Sequence, residues 1–233
     1  MSILASVKSA IPPINRAGYP FIGLFAAATL ALGLLSAHLF WIGVGLTVWC
    51  ALFFRDPKRV TPQDTGLVIA PADGRISRIG HHRPPPELML GDQPMLSVSI
   101  FMNVFDVHVN RAPVAGDIVR IAYKPGTFVN ADLDKASEDN ERNGFVFDTP
   151  HGPVGAVQIA GLVARRIVVW AGQGDTIRAG ERIGMIRFGS RVDLYLPEAA
   201  HVDVALDQRA IAGETIIAHF GAERAAPTTH SVS

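Results

Sequence analysis

Residues 19–54 read YPFIGLFAAATLALGLLSAHLFWIGVGLTVWCALFF, an unbroken apolar run whose ionisable side chains are Tyr19, His38 and Cys50 alone. This is about twice the ~17 residues that one membrane-spanning helix requires. The pattern predicts two helices turning back near Ser36-Ala37-His38, as two short crossings or a re-entrant hairpin. Lys8 and Arg16 precede the run, and Arg55, Lys58 and Arg59 follow it. Positive charge on both flanks predicts both ends on the cytoplasmic side. Tyr19, Trp41, Trp49 and Phe53 suit interfacial positions. A signal peptide has an apolar core of only ~7–15 residues. Residues 1–60 are therefore expected to form a membrane-anchoring hairpin.

The texture changes after Arg55-Asp56-Pro57-Lys58-Arg59. Short β-branched runs separated by Gly, Pro and Asp replace the long apolar stretch, as in an all-β domain. Strands are predicted at 67–70, 75–79, 96–101, 118–123 and 145–149, then at 154–160, 163–170, 182–187, 192–196 and 202–206. One short helix is expected at 104–108. The segment 129–144, VNADLDKASEDNERNG, has five acidic side chains and reads as a solvated loop. Residues 61–220 form the expected β domain, and the Ala-, Pro-, Thr- and Ser-rich tail 221–233 is expected to be disordered.

Two turns, Ala171-Gly172-Gln173-Gly174-Asp175 and Arg178-Ala179-Gly180-Glu181, place glycine where positive φ is needed. The unit GQGDTIRAGERIGMI resembles the corners of lipoyl-type barrel-sandwich domains. A carrier of that kind needs an exposed modifiable lysine, and none follows Lys135.

Composition narrows the classes. Lys+Arg and Asp+Glu balance at 21 each, which argues against a general nucleic-acid binder. With Cys50 as the one cysteine, neither an intrachain disulfide nor a cysteine metal cluster exists. His81 and His82 are adjacent, so on a strand they point to opposite faces and rarely share a metal. No metal site is expected.

Phe188-Gly189-Ser190-Arg191-Val192 lies between two apolar β-type runs. A Gly-Ser pair alone carries little. Its company is more specific: PADGRI (71–76), FMNVFDVHVNRAPVAG (101–116), NADLDKASEDNER (130–142), VGAVQIAGLVARRI (154–167) and ERIGMIRFGSRVDLYLP (181–197). In that order, these motifs resemble the phosphatidylserine decarboxylase family, specifically its short bacterial and archaeal branch. The resemblance implies a proenzyme that converts phosphatidylserine to phosphatidylethanolamine and CO₂. Decarboxylating an α-amino acid requires an electron sink. None of the four lysines (Lys8, Lys58, Lys124, Lys135) sits in a pattern suggesting pyridoxal phosphate. A covalent pyruvoyl group fills the need instead.

By the same resemblance, the Ser190 hydroxyl attacks the Gly189 carbonyl to form an ester. Elimination and hydrolysis then release ammonia and leave a pyruvoyl group on residue 190. The chains 1–189 and 190–233 stay associated, through flanking strands expected to share a sheet. The pyruvoyl ketone takes the amino group of phosphatidylserine. The implied location is the cell membrane, with the β domain on its cytoplasmic face; a homo-oligomer is left open.

His108 is the candidate acid/base, and Asp73 the group that orients and stabilises the protonated base. Asn140, Glu141 and Arg142 are candidates for the head group, with Arg142 pairing phosphate or carboxylate. Arg111 stands where the larger branch of the family has a second histidine that serves self-cleavage. Arginine stays protonated and is no base, so His108 or a water-relayed group must substitute. Two other readings use the same chain. One is a membrane-anchored serine hydrolase with Asp73, His108 and Ser190 as its triad. The other is a non-catalytic barrel-sandwich module. No Gly-x-Ser-x-Gly elbow surrounds Ser190.

Overall fold

The computed structural model describes residues 12–126, 140–161, 166–187 and 190–221. It divides into two compact units at the Lys58/Arg59 junction. Gly189 and the tail from residue 222 lie outside the described residues, as do 127–139 of the acidic loop.

The first unit is a helical hairpin, α1 (Tyr19–Gly33) and α2 (Ala37–Phe53). Pro20 sits in the first turn of α1, where its missing N–H costs nothing. Ser36 caps α2, its hydroxyl accepting the His38 amide at 3.2 Å. The turn falls where the sequence places it. Between the helices, the Thr29 and Thr47 hydroxyls meet at 3.1 Å, and a Cβ on Gly43 would stand 2.6 Å from Thr29 Oγ1. Small residues there let the backbones approach. The helices have 15 and 17 residues, and among the described residues none is long and apolar enough to cross a membrane.

The second unit is mainly β. Its strands are β1 (Leu67–Ile69), β2 (Gly74–His82), β3 (Met95–Met102), β4 (Val109–Arg111), β5 (Gly116–Lys124), β6 (Arg142–Asp148) and β7 (Val154–Ala160). These are followed by β8 (Ile167–Val169), β9 (Thr176–Ile177), β10 (Arg182–Ile186), β11 (Ser190–Leu196), β12 (Ala200–Val202), β13 (Arg209–Ala210) and β14 (Ile216–Phe220). Eight strands form a curled half-barrel in the order β13-β2-β3-β11-β7-β6-β5-β9. Two small sheets, β1-β14-β12 and β4-β10-β8, contribute to the same core.

Central strand β11 lies between β3 and β7 and is buried on both faces. Alternation sends Val192, Leu194 and Leu196 into the main core with Val98, Ile100, Met102, Phe145 and Phe147. Arg191 and Asp193 pair with each other on the opposite face, at 2.8 and 3.1 Å, where Tyr195 packs with Leu88 and Val157.

Several expectations need correction. Residues 104–108 form no helix. Asp106 Oδ2 accepts the Asn103 amide at 2.9 Å and Asn103 Oδ1 accepts the Phe105 amide at 2.8 Å, so side chains take the bonds a helix would use. Residues 140–144 are buried rather than solvated, because β6 starts at Arg142 and finds partners on both sides. The strand expected at 202–206 is β12, earlier in the chain. β4, β9, β13 and β14 are additional, and all but β14 are three residues or fewer, too short to show a period. The strands flanking Gly189 do not share a sheet: β10 pairs with β4 and β8, β11 with β3 and β7.

Candidate active site

Ser190 opens β11 opposite Met102 of β3 and Ala160 of β7. It points to the same face as Val192 and Leu194, toward the main core, and is fully buried. There the apolar lining gives way to a polar strip. The Ser190 hydroxyl donates to Met102 Sδ at 3.7 Å, and the Asn110 amide donates to the same sulfur at 3.7 Å. Asn110 Oδ1 accepts from Gln158 Nε2 at 2.8 Å, and Gln158 Oε1 accepts from Asn143 Nδ2 at 3.2 Å. All five side chains are essentially inaccessible to solvent. A thioether is a weak acceptor, so the serine oxygen is dry, fixed and only weakly engaged.

His108 precedes β4 by one residue and is fully buried. Its Nδ1 lies 3.0 Å from the Asp106 carbonyl. A carbonyl only accepts, so Nδ1 carries a proton in this contact. The Asp106 carboxylate holds this turn from both sides, accepting the Asn103 amide and pairing with Arg209 at 2.6 Å.

Asp73 does not bond to His108. Its carboxylate takes Arg59 Nη2 at 2.8 and 2.9 Å and the Ala212 amide at 2.8 Å. Burial lifts its carboxyl above the usual aspartate range, and Asp106 adds to the lift; the Ala212 amide and Arg59 work against it. The Ser190 hydroxyl likewise meets Met102, so Asp73, His108 and Ser190 form no hydrogen-bonded triad. Arg111 donates to the Gly180 carbonyl at 2.8 Å.

The three head-group candidates separate. Asn140 Nδ2 donates to the Ala160 carbonyl at 2.7 Å, and the Glu141 carbonyl accepts the Ala160 amide at 2.9 Å. Together they clamp the strand partner of Ser190. Glu141 Oε1 also accepts the Ile167 amide at 3.3 Å. Arg142 pairs within the protein, with the Glu87 carboxylate. Among the described residues, no group of three or more His, Cys, Asp or Glu is placed to hold a metal ion.

Sequence reasoning missed Met102, Asn110, Asn143, Gln158 and Arg59. One signal was available: Gln158 is the polar residue in the otherwise apolar run VGAVQIA. A sequence model of the phosphatidylserine decarboxylase family matches residues 46–218, three quarters of the chain and every residue of the polar strip. The chain belongs to that family. This phosphatidylserine decarboxylase is a pyruvoyl-dependent carboxy-lyase by family, acting on a phospholipid. The serine-hydrolase and binding-module readings lose their support, the former also because its triad is not assembled.

Proposed function

We propose that this phosphatidylserine decarboxylase makes its own pyruvoyl group from Ser190 by breaking the chain between residues 189 and 190, and that its hairpin embeds in the cytoplasmic leaflet of the cell membrane. The observation that carries the first part is the Ser190 hydroxyl, buried at the head of the central strand and parked on a thioether. A nucleophile in a dry site with a weak partner loses little on leaving it. Its oxygen bonds to the residue 189 carbonyl carbon as the peptide C–N bond breaks. The hydroxyl proton passes through a base, the role assigned here to His108 Nε2, to the nitrogen freed by that break. Arg111 cannot take that role, being permanently protonated.

The residues present fit a pyruvoyl group. Asn110 and Gln158 are neutral amides of the kind that hold carbonyl oxygens, and Met102 and Ala160 wall the position. Such a group supplies the sink for the electron pair released with CO₂. His108 is then the residue to protonate the substrate carbon. Asp73, tied to Arg59, sets the charge near the Asp106 turn that holds His108 rather than touching it.

The fragment beginning at residue 190 has reason to stay. Its β11 lies between β3 and β7, β13 pairs with β2, and β14 pairs with β1, all strands of the other fragment. Membrane embedding is supported by the hairpin's exposed Leu24, Leu30, Leu34, Leu35, Trp41 and Ile42. Helices of about 22 and 25 Å are shorter than the ~30 Å hydrocarbon core, so both entering and leaving one leaflet suits them. An enzyme held there reaches a substrate whose acyl chains stay in lipid; extracting them costs about 0.8 kcal/mol per methylene.

Intact mass and denaturing electrophoresis of the protein from its native membrane test the reading. Two fragments divided at 189/190, the smaller with a keto-acyl terminus, are expected. One whole chain with normal lipid turnover overturns it. Partition into the soluble fraction after gentle lysis sinks the membrane part.

A further inference from the structure

The short arm 209–212, which begins with β13, reaches both of the aspartates that flank the site. Arg209 Nη2 donates to Asp106 Oδ1 at 2.6 Å, and the Ala212 amide donates to Asp73 Oδ1 at 2.8 Å. The arm is seated by β2, where Arg75 pairs with Arg209 and Gly74, the residue after Asp73, pairs with Ala210. The two opposed arginines diverge to different carboxylates: Arg75 goes to Asp207 and Arg209 to Asp106. With the chain cut between 189 and 190, the arm lies in the smaller fragment and both flanking aspartates in the larger.

Asp106 is where the arm meets His108. Its carbonyl accepts from His108 Nδ1 at 3.0 Å, its Oδ2 accepts the Asn103 amide at 2.9 Å, and its Oδ1 takes Arg209. The Asp106 side chain is 4% exposed and that of Arg209 63%. Removing the cation leaves a buried carboxylate uncompensated, which is strongly unfavourable. The turn 103–108 carries no helix or ladder of its own, so it can shift to bring that charge to water. The Asp106 carbonyl moves with the turn, and the His108 ring moves with the carbonyl.

We propose that Arg209 is a positioning residue for the decarboxylation: carried by the smaller fragment, it fixes the Asp106 turn of the larger one and thereby aims the imidazole of His108. It acts through Asp106 and touches neither Ser190 nor His108. The fragment that supplies residue 190 thus also sets the acid/base that serves it, and the two are aligned only while the fragments are docked. The inference rests on the roles proposed above for Ser190 and His108.

Three full-length variants in detergent micelles test it, with turnover counted per pyruvoyl group. Arg209→Ala should lower kcat for phosphatidylserine at least about tenfold at unchanged KM, since a misplaced acid/base costs rate rather than binding. Arg209→Lys keeps a cation and should recover most of that loss. Arg75→Ala breaks the neighbouring pair with Asp207, which also joins the two fragments, and should leave kcat unchanged. A role confined to holding the fragments together would make Arg75→Ala and Arg209→Ala equally damaging. A second measurement uses the uncleavable Ser190→Ala chain. There Arg209→Ala should speed hydrogen exchange of the Asn103 amide at least about tenfold, and Arg75→Ala should not. This arm reads the turn whether or not the chain cuts itself, so an uncut wild-type chain sinks the Ser190 reading while the exchange result still decides whether Arg209 holds the turn. Unchanged kcat in Arg209→Ala, losses matched by Arg75→Ala, or unaltered Asn103 exchange overturns the positioning role.

Discussion

Each unit of this chain buries a polar strip, and the two strips are used differently. In the hairpin, the Thr29 hydroxyl lies 2.7 Å from the Phe25 carbonyl, the Thr47 hydroxyl 2.8 Å from the Gly43 carbonyl, and the two hydroxyls 3.1 Å apart. With one hydrogen each, they make two of these three bonds at a time, one of them able to run from threonine to threonine. The pair then meets across the helix interface and is closed. In the half-barrel, the strip runs Asn143–Gln158–Asn110 through strong amide bonds and ends on Met102 Sδ, with Ser190 on the other side of the sulfur. A closed pair of hydroxyls holds helices together. An open end on a thioether leaves an oxygen ready to react. Both strips are polar side chains in an apolar interior, and their terminations tell structure from chemistry.

The largest test removes the open end. Ser190→Ala should leave one uncleaved chain by intact mass and lower phosphatidylserine turnover by at least about a thousandfold, on the scale of losing a nucleophile. Cleavage persisting without that hydroxyl would show that the strip ends elsewhere. Next, Gln158→Leu keeps the volume but strips Asn110 and Asn143 of their partner. Each orphaned amide costs about 1–3 kcal/mol, so urea unfolding in the single-chain Ser190→Ala background should show a loss of about 2–5 kcal/mol. In the otherwise native chain, the same change should slow cleavage at least about tenfold by displacing Asn110. Unaltered stability and cleavage would mean the amides are not the strip's support.

Gly43→Leu addresses the hairpin strip, forcing a side chain against Thr29. Overpacking costs about 1–3 kcal/mol, and faster amide exchange along α2 should report it. Cleavage at residue 190 should be unchanged; a cleavage defect would erase the distinction between the strips. The smallest effect concerns Asp73. Because burial raises its pKa on folding, the folded chain holds that proton to higher pH than the unfolded chain does. Its contribution is therefore full below the ordinary value near 3.8 and is lost as pH rises through the raised one. In the Ser190→Ala background, the stability of the Asp73 protein relative to its Asp73→Asn variant should fall across that window. A difference that grows with pH would mean the Arg59 pairing dominates.

Legibility followed the length over which a pattern runs. β7, seven residues alternating against two neighbours, falls at 154–160 as its sequence predicts. The turn glycines Gly174 and Gly180 take the positive φ that their Gly-Asp and Gly-Glu contexts demand. β4 and β13, with three and two residues, have no period to read. Arg142 looked like part of a solvated acidic loop because its neighbours in sequence are polar. Its neighbours in space are β5, β7 and Glu87.

The sequence by itself determined the apolar hairpin with its turn, the β character of the larger unit, the family through its ordered motifs, and Ser190 as the residue of interest. Those properties reside in local period, turn chemistry and residue identity. Only the tertiary structure decided that Ser190 opens the central strand rather than continuing β10, that its hydroxyl meets Met102, and that Asp73 belongs to Arg59. Contacts between residues 14 or 88 positions apart depend on which strands pair and in what register, and long-range register leaves no mark in a local pattern.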